Sequence, residues 1–191
     1  MSEIRISYVS GKTLHKEIMG RIFVFYDIII IEDTVISKCD SKSLNCAKGA
    51  NPMTNEQLIL EAKKARERAY TPYSHFQVGA VLVGKSGKLY YGCNIENAAY
   101  TPTNCAERTA FFKAVSEGEL EFEKIAIVGG PEGTEADTLC APCGVCRQVM
   151  MEFCDPETFT IIMPNGKDKW VEMTLKELLP YGFGPVNLKK D

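Results

Sequence analysis

Three cysteines and one glutamate, in two short segments, constrain this chain more than any other feature of its sequence. Cys105 and Glu107 are separated by one residue, and a second segment runs Pro142-Cys143-Gly144-Val145-Cys146. Zinc accepts thiolate ligands readily, and the spacing within the second segment lets one turn bring both of its sulfurs to a single ion. With Cys105 as the third ligand, one tetrahedral position stays open for water, as in catalytic zinc sites. The sequence therefore predicts one Zn²⁺ ion per subunit, held by Cys105, Cys143 and Cys146.

The same spacing predicts where two helices begin. Side chains two apart in a helix point about 200° apart, so Cys105 and Glu107 can share a site only if Cys105 lies at a helix N-terminus. The preceding Thr103-Asn104 is typical of that position, and Pro142 favours a helix that begins at Cys143. Two helix N-termini would then direct partial positive charge at the metal. Glu107 is not a ligand; it is expected to be catalytic and to accept a proton from water.

Two arginines adjoin the predicted zinc site. A zinc ion with three thiolates carries a net charge of about −1, which weakens it as a Lewis acid. Arg108 directly follows Glu107 and is expected to hydrogen-bond the thiolates and to offset part of their charge. Arg147, next to Cys146, is a second candidate for the same role.

Cys140 makes a second kind of metal site conceivable. It forms a second Cys-x-x-Cys with Cys143, so a closed structural site of four thiolates would consist of Cys105, Cys140, Cys143 and Cys146. The open site is favoured because Cys140 precedes the predicted helix. A structural site also has no use for the carboxylate of Glu107.

Composition and charge favour one globular domain of ordinary size. The chain has 191 residues, of which 45% are hydrophobic and 25% charged, and its formal net charge is −3. This mild acidity gives no electrostatic reason to expect a nucleic-acid partner. Eight cysteines without a credible export signal favour reduced thiols in a cytoplasmic protein over a disulfide scaffold. The apolar run 22–31 contains Asp27 and is too short to span a bilayer, so no membrane segment is expected.

The first 52 residues differ from the rest of the chain. They are expected to form an N-terminal extension that is weakly ordered, or absent if Met53 is the natural start. Arg21–Ile36 is rich in the β-branched and aromatic residues typical of strands, whereas Asp40–Pro52 has the small and polar composition of a linker. No functional motif lies in this segment. Residues 53–191 are expected to form the catalytic domain.

The remaining sequence predicts alternating helices and strands. A capping box at Thr54 and Gln57 opens the first helix, which ends before Pro72. Further helices are predicted at 105–117, 143–153 and after Thr174, and strands at 76–83, 89–94, 124–129, 159–163 and 169–173. The order α-β-β-α-β-α-β-β-α predicts an α/β fold, a three-layer α/β/α sandwich around a mixed five-stranded sheet.

Several segments resemble the small homotetrameric cytidine deaminases, and the resemblance extends from about Thr54 to Leu188. The order Cys-x-Glu followed by Pro-Cys-x-x-Cys is also the general signature of zinc deaminases. The resemblance implies a cytidine-deaminase-like fold and hydrolytic, zinc-dependent conversion of cytidine and 2′-deoxycytidine to uridine and 2′-deoxyuridine in pyrimidine salvage. The segments that carry it are 73–80, 94–100, 105–110, 142–149 and 178–184.

The resemblance also implies residues that bind the nucleoside. Asn94 and Glu96 match residues that hold the ribose 3′-hydroxyl, and side chains two apart on an extended chain do share a face. Phe76 matches a residue that packs on the pyrimidine. Ala106 matches a residue whose backbone binds the carbonyl of the base.

Two further aromatic residues imply an active site that is shared between subunits. Tyr100 and Phe183 match residues that reach the site of a neighbouring subunit, so a homotetramer is expected. The N-terminal extension lies outside the family pattern.

Three other functions are compatible with parts of the pattern. The runner-up is a zinc deaminase of another aminopyrimidine compound, such as the blasticidin-type antibiotic deaminases, which share the thiolate site. Asn94, Glu96 and Phe183 favour the nucleoside instead. A polynucleotide deaminase would need a basic groove with stacking aromatic side chains, and this chain is acidic. A binding module with a structural zinc site would not need the carboxylate of Glu107.

Overall fold

A computed structural model describes residues 53–188 and three short strands that precede them. These strands are β1 (Phe23–Phe25), β2 (Ile28–Ile31) and β3 (Thr34–Val35), and they form an antiparallel sheet in that order. All three lie within the segment whose composition favours strands. The linker predicted at 40–52 lies outside the described residues. The prediction that the extension is weakly ordered also concerns residues that are not described.

Residues 53–188 form a mixed sheet of five strands. The strand order is β5-β4-β6-β7-β8; β6 and β7 run parallel, and the other neighbouring pairs are antiparallel. The parallel pair requires a crossover, and α3 provides it. The strands are β4 (Phe76–Gly84), β5 (Leu89–Cys93), β6 (Phe122–Pro131), β7 (Thr160–Pro164) and β8 (Trp170–Thr174).

Four helices accompany this sheet among the described residues. The Thr54 side chain accepts a hydrogen bond from the Gln57 backbone, and the Gln57 side chain accepts one from the Thr54 backbone, so the predicted capping box is confirmed. The helices are α1 (Asn55–Arg66), α2 (Ala106–Ser116), α3 (Gly144–Phe153) and α4 (Leu175–Leu178), and a short 3-10 turn follows at Pro185–Asn187.

The two faces of the sheet are covered by different helices. On one face, α1 buries Leu58 and Ala62 against apolar residues of β4, β6 and β7. On the opposite face, α2 and α3 bury Phe111 and Met150 against the other side of the same strands. Because both faces are buried, β4 is almost continuously apolar from Gly79 onward. The predicted three-layer α/β/α arrangement with a mixed five-stranded sheet is confirmed.

The first helix ends as predicted, whereas one strand is longer than predicted. α1 ends at Arg66, before Pro72. β6 extends as far as Pro131 because it pairs with β4 along its whole length, which places Pro131 opposite Phe76. Pairing with a neighbouring strand is a tertiary property that local composition does not record. Among the described residues, no helix is long and apolar enough to cross a bilayer.

Candidate metal centre and active site

Three cysteine sulfurs converge at the starts of α2 and α3. The Sγ atoms of Cys105, Cys143 and Cys146 all lie within 4.8 Å of one another. The Cys105–Cys143 sulfur distance is 3.8 Å and the Cys143–Cys146 distance is 3.4 Å. A tetrahedral zinc ion with Zn–S bonds of about 2.3 Å places its sulfurs about 3.8 Å apart. The donor set and its spacing therefore fit Zn²⁺, as predicted from the sequence.

Both helices present their first residues to this cluster. Cys105 is the N-cap of α2 and Cys143 the N-cap of α3, and both have extended backbone conformations. Each helix therefore starts one residue later than predicted, at Ala106 and Gly144. The Cys146 backbone N–H donates to Cys143 Sγ at 3.4 Å, so the first turn of α3 itself holds a thiol. Two helix N-termini thus direct partial positive charge toward the sulfurs.

Access to the cluster is uneven. Cys146 is buried, Cys105 is half-buried and Cys143 is exposed. Because one of the three residues is exposed, the cluster is accessible to a fourth, non-protein ligand. This arrangement is that of an open zinc site rather than a closed one.

Glu107 lies beside the sulfurs in the first turn of α2. Its side chain is buried, with 4% of its surface exposed. Burial raises the pKa of its carboxyl to about 7, because the charged form is poorly solvated there. A carboxyl group with such a pKa exchanges protons readily near neutral pH, which is the property that a general acid–base residue needs.

The thiols and Arg108 form one coupled electrostatic group. A hydrogen bond from the Cys146 thiol and the nearby Arg108 guanidinium lower the pKa of Cys105 to about 5, whereas the contact with Cys105 raises the pKa of Cys146. Arg108 Nη2 lies 3.7 Å from Cys105 Sγ and also donates to the Thr103 carbonyl at 3.1 Å. The expected contact between Arg108 and a thiolate is therefore present.

The second candidate arginine points elsewhere. Arg147 donates from Nε to the Pro142 carbonyl at 2.7 Å and from Nη1 to the Leu178 carbonyl at 2.8 Å. Its position in the helix, one residue after Cys146, turns its side chain away from the sulfurs. Arg147 therefore braces the backbone that leads into α3, whereas Arg108 is the arginine that contacts a clustered sulfur.

Cys140 lies near the cluster without joining it. Among residues 53–188, the group of potential metal ligands contains three cysteines, and Cys140 is not one of them. Its sulfur packs on the Cα of Gly129: a Cβ built on that glycine would lie 2.4 Å from Cys140 Sγ and 3.2 Å from the Phe76 ring. Burial raises the pKa of the Cys140 thiol to about 11. The geometry gives no support to a closed four-thiolate site.

Asn94 and Glu96 are tied into the backbone beside the cluster. Asn94 Oδ1 accepts from the Val78 N–H at 2.8 Å, and Asn94 Nδ2 donates to the Phe76 carbonyl at 2.9 Å. Glu96 accepts hydrogen bonds from the backbone N–H groups of Tyr73 and Ser74 at 3.0 and 3.2 Å. Glu96 Oε1 also accepts from the Ser74 hydroxyl. Both side chains keep further hydrogen-bonding capacity, since the Asn94 amide has a second N–H and Glu96 Oε1 can accept once more.

The predicted aromatic contacts are exposed, whereas Ala106 is fully buried. Phe76 is 41% exposed, Phe183 56% and Tyr100 76%. The rings of Tyr73 and Tyr100 lie 6.5 Å apart. Tyr100 has a positive φ of 58°, a conformation that non-glycine residues rarely adopt outside tightly constrained turns. All three predicted contact side chains are therefore accessible at the surface of the protein.

One buried cation near the site was missed from the sequence. Arg66 is only 8% exposed and lies on the same stripe of α1 as Leu58 and Ala62, at intervals of four residues. The signal was present, because an arginine in register with a buried stripe needs internal hydrogen-bond partners. The helix periodicity alone does not say which groups those partners are.

The sequence of this chain is similar to those of known proteins. The model of the family described as "Cytidine and deoxycytidylate deaminase zinc-binding region" matches residues 52–162. A cytidine deaminase of Sporosarcina psychrophila is 51% identical over 136 residues, which cover 71% of this chain and 96% of that protein. One of Halalkalibacterium halodurans is 50% identical over 133 residues, covering 69% of this chain and 95% of that protein.

The fold of this chain is also similar to that of solved structures. The crystal structure of a cytidine deaminase from Burkholderia pseudomallei aligns with a TM-score of 0.62 at 47% identity, covering 69% of this chain and all of that one. The family match spans more than half of the present sequence, and the relatives are covered almost from end to end. The three clustered cysteines stand in the order of the zinc-deaminase signature and form a possible metal site, and the chain belongs to the cytidine deaminase family.

Proposed function

We propose that the protein catalyses the zinc-dependent hydrolytic deamination of cytidine and 2′-deoxycytidine to uridine and 2′-deoxyuridine. One observation carries the proposal: three thiols within 4.8 Å of one another share an open site with the buried carboxylate of Glu107. A structural zinc module would need the sulfurs but not the carboxylate. The similarity to enzymes named cytidine deaminase supports the choice of substrate.

The ligands and the acid–base residue have separate roles in this reaction. Cys105, Cys143 and Cys146 would hold the zinc. When bound, zinc supplies a Lewis acid that brings the pKa of a coordinated water toward neutrality. Glu107 would accept one proton from the attacking water as its oxygen bonds to C4 of the pyrimidine, and would pass that proton to the ring nitrogen. It would then take the second proton from the new C4 hydroxyl and pass it to the amino group, which leaves as ammonia as the C4 carbonyl forms.

The surroundings of the site suit a nucleoside. Phe76 presents a half-exposed ring beside Gly129 and Cys140, where it would pack on the pyrimidine. Asn94 and Glu96 would hold the ribose 3′-hydroxyl with the hydrogen-bonding capacity that their backbone contacts leave free. The N–H of Ala106, at the first position of α2, would bind the carbonyl of the base. Arg108 would offset the charge of the thiolates.

We also propose that the enzyme is a homotetramer whose sites are shared between subunits. The support is the exposure of Tyr100 and Phe183, two large side chains at the edge of the site that a neighbouring subunit would bury. Residues 53–191 are proposed as the catalytic domain and residues 1–52 as an extension. The enzyme would act in the cytoplasm, in pyrimidine salvage. Sedimentation equilibrium tests the tetramer. If sites are shared, Tyr100→Ala should lower deaminase activity even though Cys143 of every subunit is intact.

The deciding experiment is the fall in ultraviolet absorbance as cytidine is converted to uridine by the purified, zinc-loaded protein. Turnover of cytidine and 2′-deoxycytidine is expected. A blasticidin-type aminopyrimidine serves as the comparison substrate: preference for it would replace the proposed substrate while keeping the chemistry. Bound zinc without turnover of either compound would indicate a structural site and overturn the proposal.

A further inference from the structure

Arg66 sits in a cage of backbone carbonyls between α1 and the ends of two strands. Its Nε donates to the Gln77 carbonyl at 3.1 Å and its Nη1 to the Thr134 carbonyl at 2.7 Å. Nη2 donates to the carbonyls of Gly130 and Pro131 at 3.0 and 2.6 Å. Within residues 53–188 no carboxylate pairs with this guanidinium, so the dipoles of these carbonyls and of the Thr134 hydroxyl, 3.5 Å from Nη2, stabilise the buried charge.

The carbonyls in this cage belong to the two chain segments that border the site. Gln77 follows Phe76 at the start of β4, and Gly130 and Pro131 end β6 and open the loop that leads to Cys143. Gly129, the residue before this cage, packs against both Cys140 and the Phe76 ring. A continuous set of contacts therefore joins Arg66 to the Phe76 ring and to the segment that carries two of the three clustered sulfurs.

A planar guanidinium is suited to this task because its N–H groups point in fixed directions and can bind several acceptors at once. Removing it would leave four carbonyls without this donor and would release α1 and the loop at Thr134 from the paired ends of β4 and β6. Displacements of about 1 Å at a reacting centre can cost about a hundredfold in rate. Arg66 contacts neither the sulfurs nor Glu107, so any effect on chemistry must pass through backbone placement.

We propose that Arg66 is a positioning residue of the deaminase site, which holds the Phe76 strand and the loop to Cys143 in register. The inference rests on the proposed function for its kinetic test. Lys63 provides a matched control: it lies one turn earlier on α1 and pairs with Asp137 of the same loop at 2.6 Å, with both side chains 30% exposed. It therefore tethers the loop without touching the carbonyl cage.

The experiment compares Arg66→Met, Arg66→Lys and Lys63→Met. Values of kcat and KM for cytidine are measured per folded, zinc-loaded subunit, well below the Tm of each variant. Arg66→Met should lower kcat/KM by about tenfold to a hundredfold, and Arg66→Lys, which keeps the charge but not the planar fork, should fall between it and the parent. Lys63→Met should stay within about twofold, as expected for a partly exposed ion pair.

A second measurement does not depend on turnover: the rate at which zinc is transferred from the protein to a chromogenic chelator. Arg66→Met should release zinc about tenfold faster than the parent, because the loop to Cys143 is no longer held. A folded Arg66→Met protein with the parent's kcat/KM and zinc-release rate would overturn the proposal. If Arg66→Met does not fold, parent values in Arg66→Lys would overturn it. Failure of the parent to deaminate cytidine would defeat the proposed function, while the zinc-release comparison would still decide the role of Arg66.

Discussion

The Ala106 carbonyl lies so close to the Cα of Gly92 that a Cβ built on the glycine would be 2.1 Å from the Ala106 oxygen and 2.6 Å from the Ala110 nitrogen. The first turn of α2, which carries Glu107 and follows Cys105, therefore rests directly on β5. No side chain other than hydrogen fits between them. This contact sets the distance between the start of α2 and the sheet.

Gly92→Ala should displace the start of α2 and impair the zinc site. The added methyl meets backbone atoms, which cannot rotate away, so we expect a loss of about 1 to 3 kcal/mol in the free energy of unfolding. Deaminase activity should fall more than stability alone explains, because Cys105 and Glu107 move with the helix. Urea unfolding, zinc content and kcat/KM together measure the effect.

Gly87→Ala is the control for this change. It adds the same methyl at the turn of the β4–β5 hairpin, where no atom lies within 4 Å, although the positive φ of 85° makes alanine strained. It should cost about 1 kcal/mol in stability and leave zinc content and activity unchanged. Equal activity loss in the two variants would contradict the role assigned to the contact between Gly92 and Ala106.

Glu107→Gln should keep its zinc and lose turnover. The amide has nearly the same shape but cannot accept a proton from water, so kcat should fall by about a hundredfold to ten-thousandfold. Zinc content by atomic absorption should equal that of the parent, since Glu107 is not among the clustered sulfur ligands. Parent-like turnover in a zinc-loaded Glu107→Gln protein would exclude it as the acid–base residue.

Cys143→Ala should lose zinc and, with it, all deaminase activity. Its sulfur lies between the other two, at 3.8 Å from Cys105 and 3.4 Å from Cys146, so two thiols alone remain after its removal. Cys140→Ala is the matched variant, because that thiol lies outside the cluster and should be dispensable for binding zinc. Zinc loss in Cys140→Ala would restore the four-thiolate alternative.

Asn94→Asp should disturb the start of β4 despite its nearly identical shape. The Asn94 amide donates to the Phe76 carbonyl and accepts from the Val78 N–H, and a carboxylate in its place sets two acceptors against each other at Phe76. We expect a loss of about 1 to 3 kcal/mol in stability and a higher KM for cytidine. Glu96→Gln, whose acceptor oxygen is retained, should be less destabilised in the same urea titration.

The chemistry of the metal centre was predictable because it depends on residue types and short spacings. Cys-x-Glu beside N-cap signals and Pro-Cys-x-x-Cys each place side chains within one helical turn, where the backbone leaves few alternatives. The order of helices and strands was predictable for the same reason, since each element has its own hydrophobic period. The ends of the strands were harder to predict. β6 continues to Pro131 because it pairs with β4 there, and its local sequence does not indicate that pairing.

Local spacing and periodicity were therefore enough to predict the fold class and a three-cysteine cluster that fits zinc, and the same spacing carries the prediction that Glu107 transfers the proton. Only the tertiary structure decided that Arg147 braces a backbone rather than a thiolate, that Cys140 packs on Gly129 outside the cluster, and that Arg66 binds four carbonyls from two distant segments. The direction of a long side chain and the partners of a buried charge depend on what other parts of the chain bring within hydrogen-bonding distance, and no local pattern contains that information.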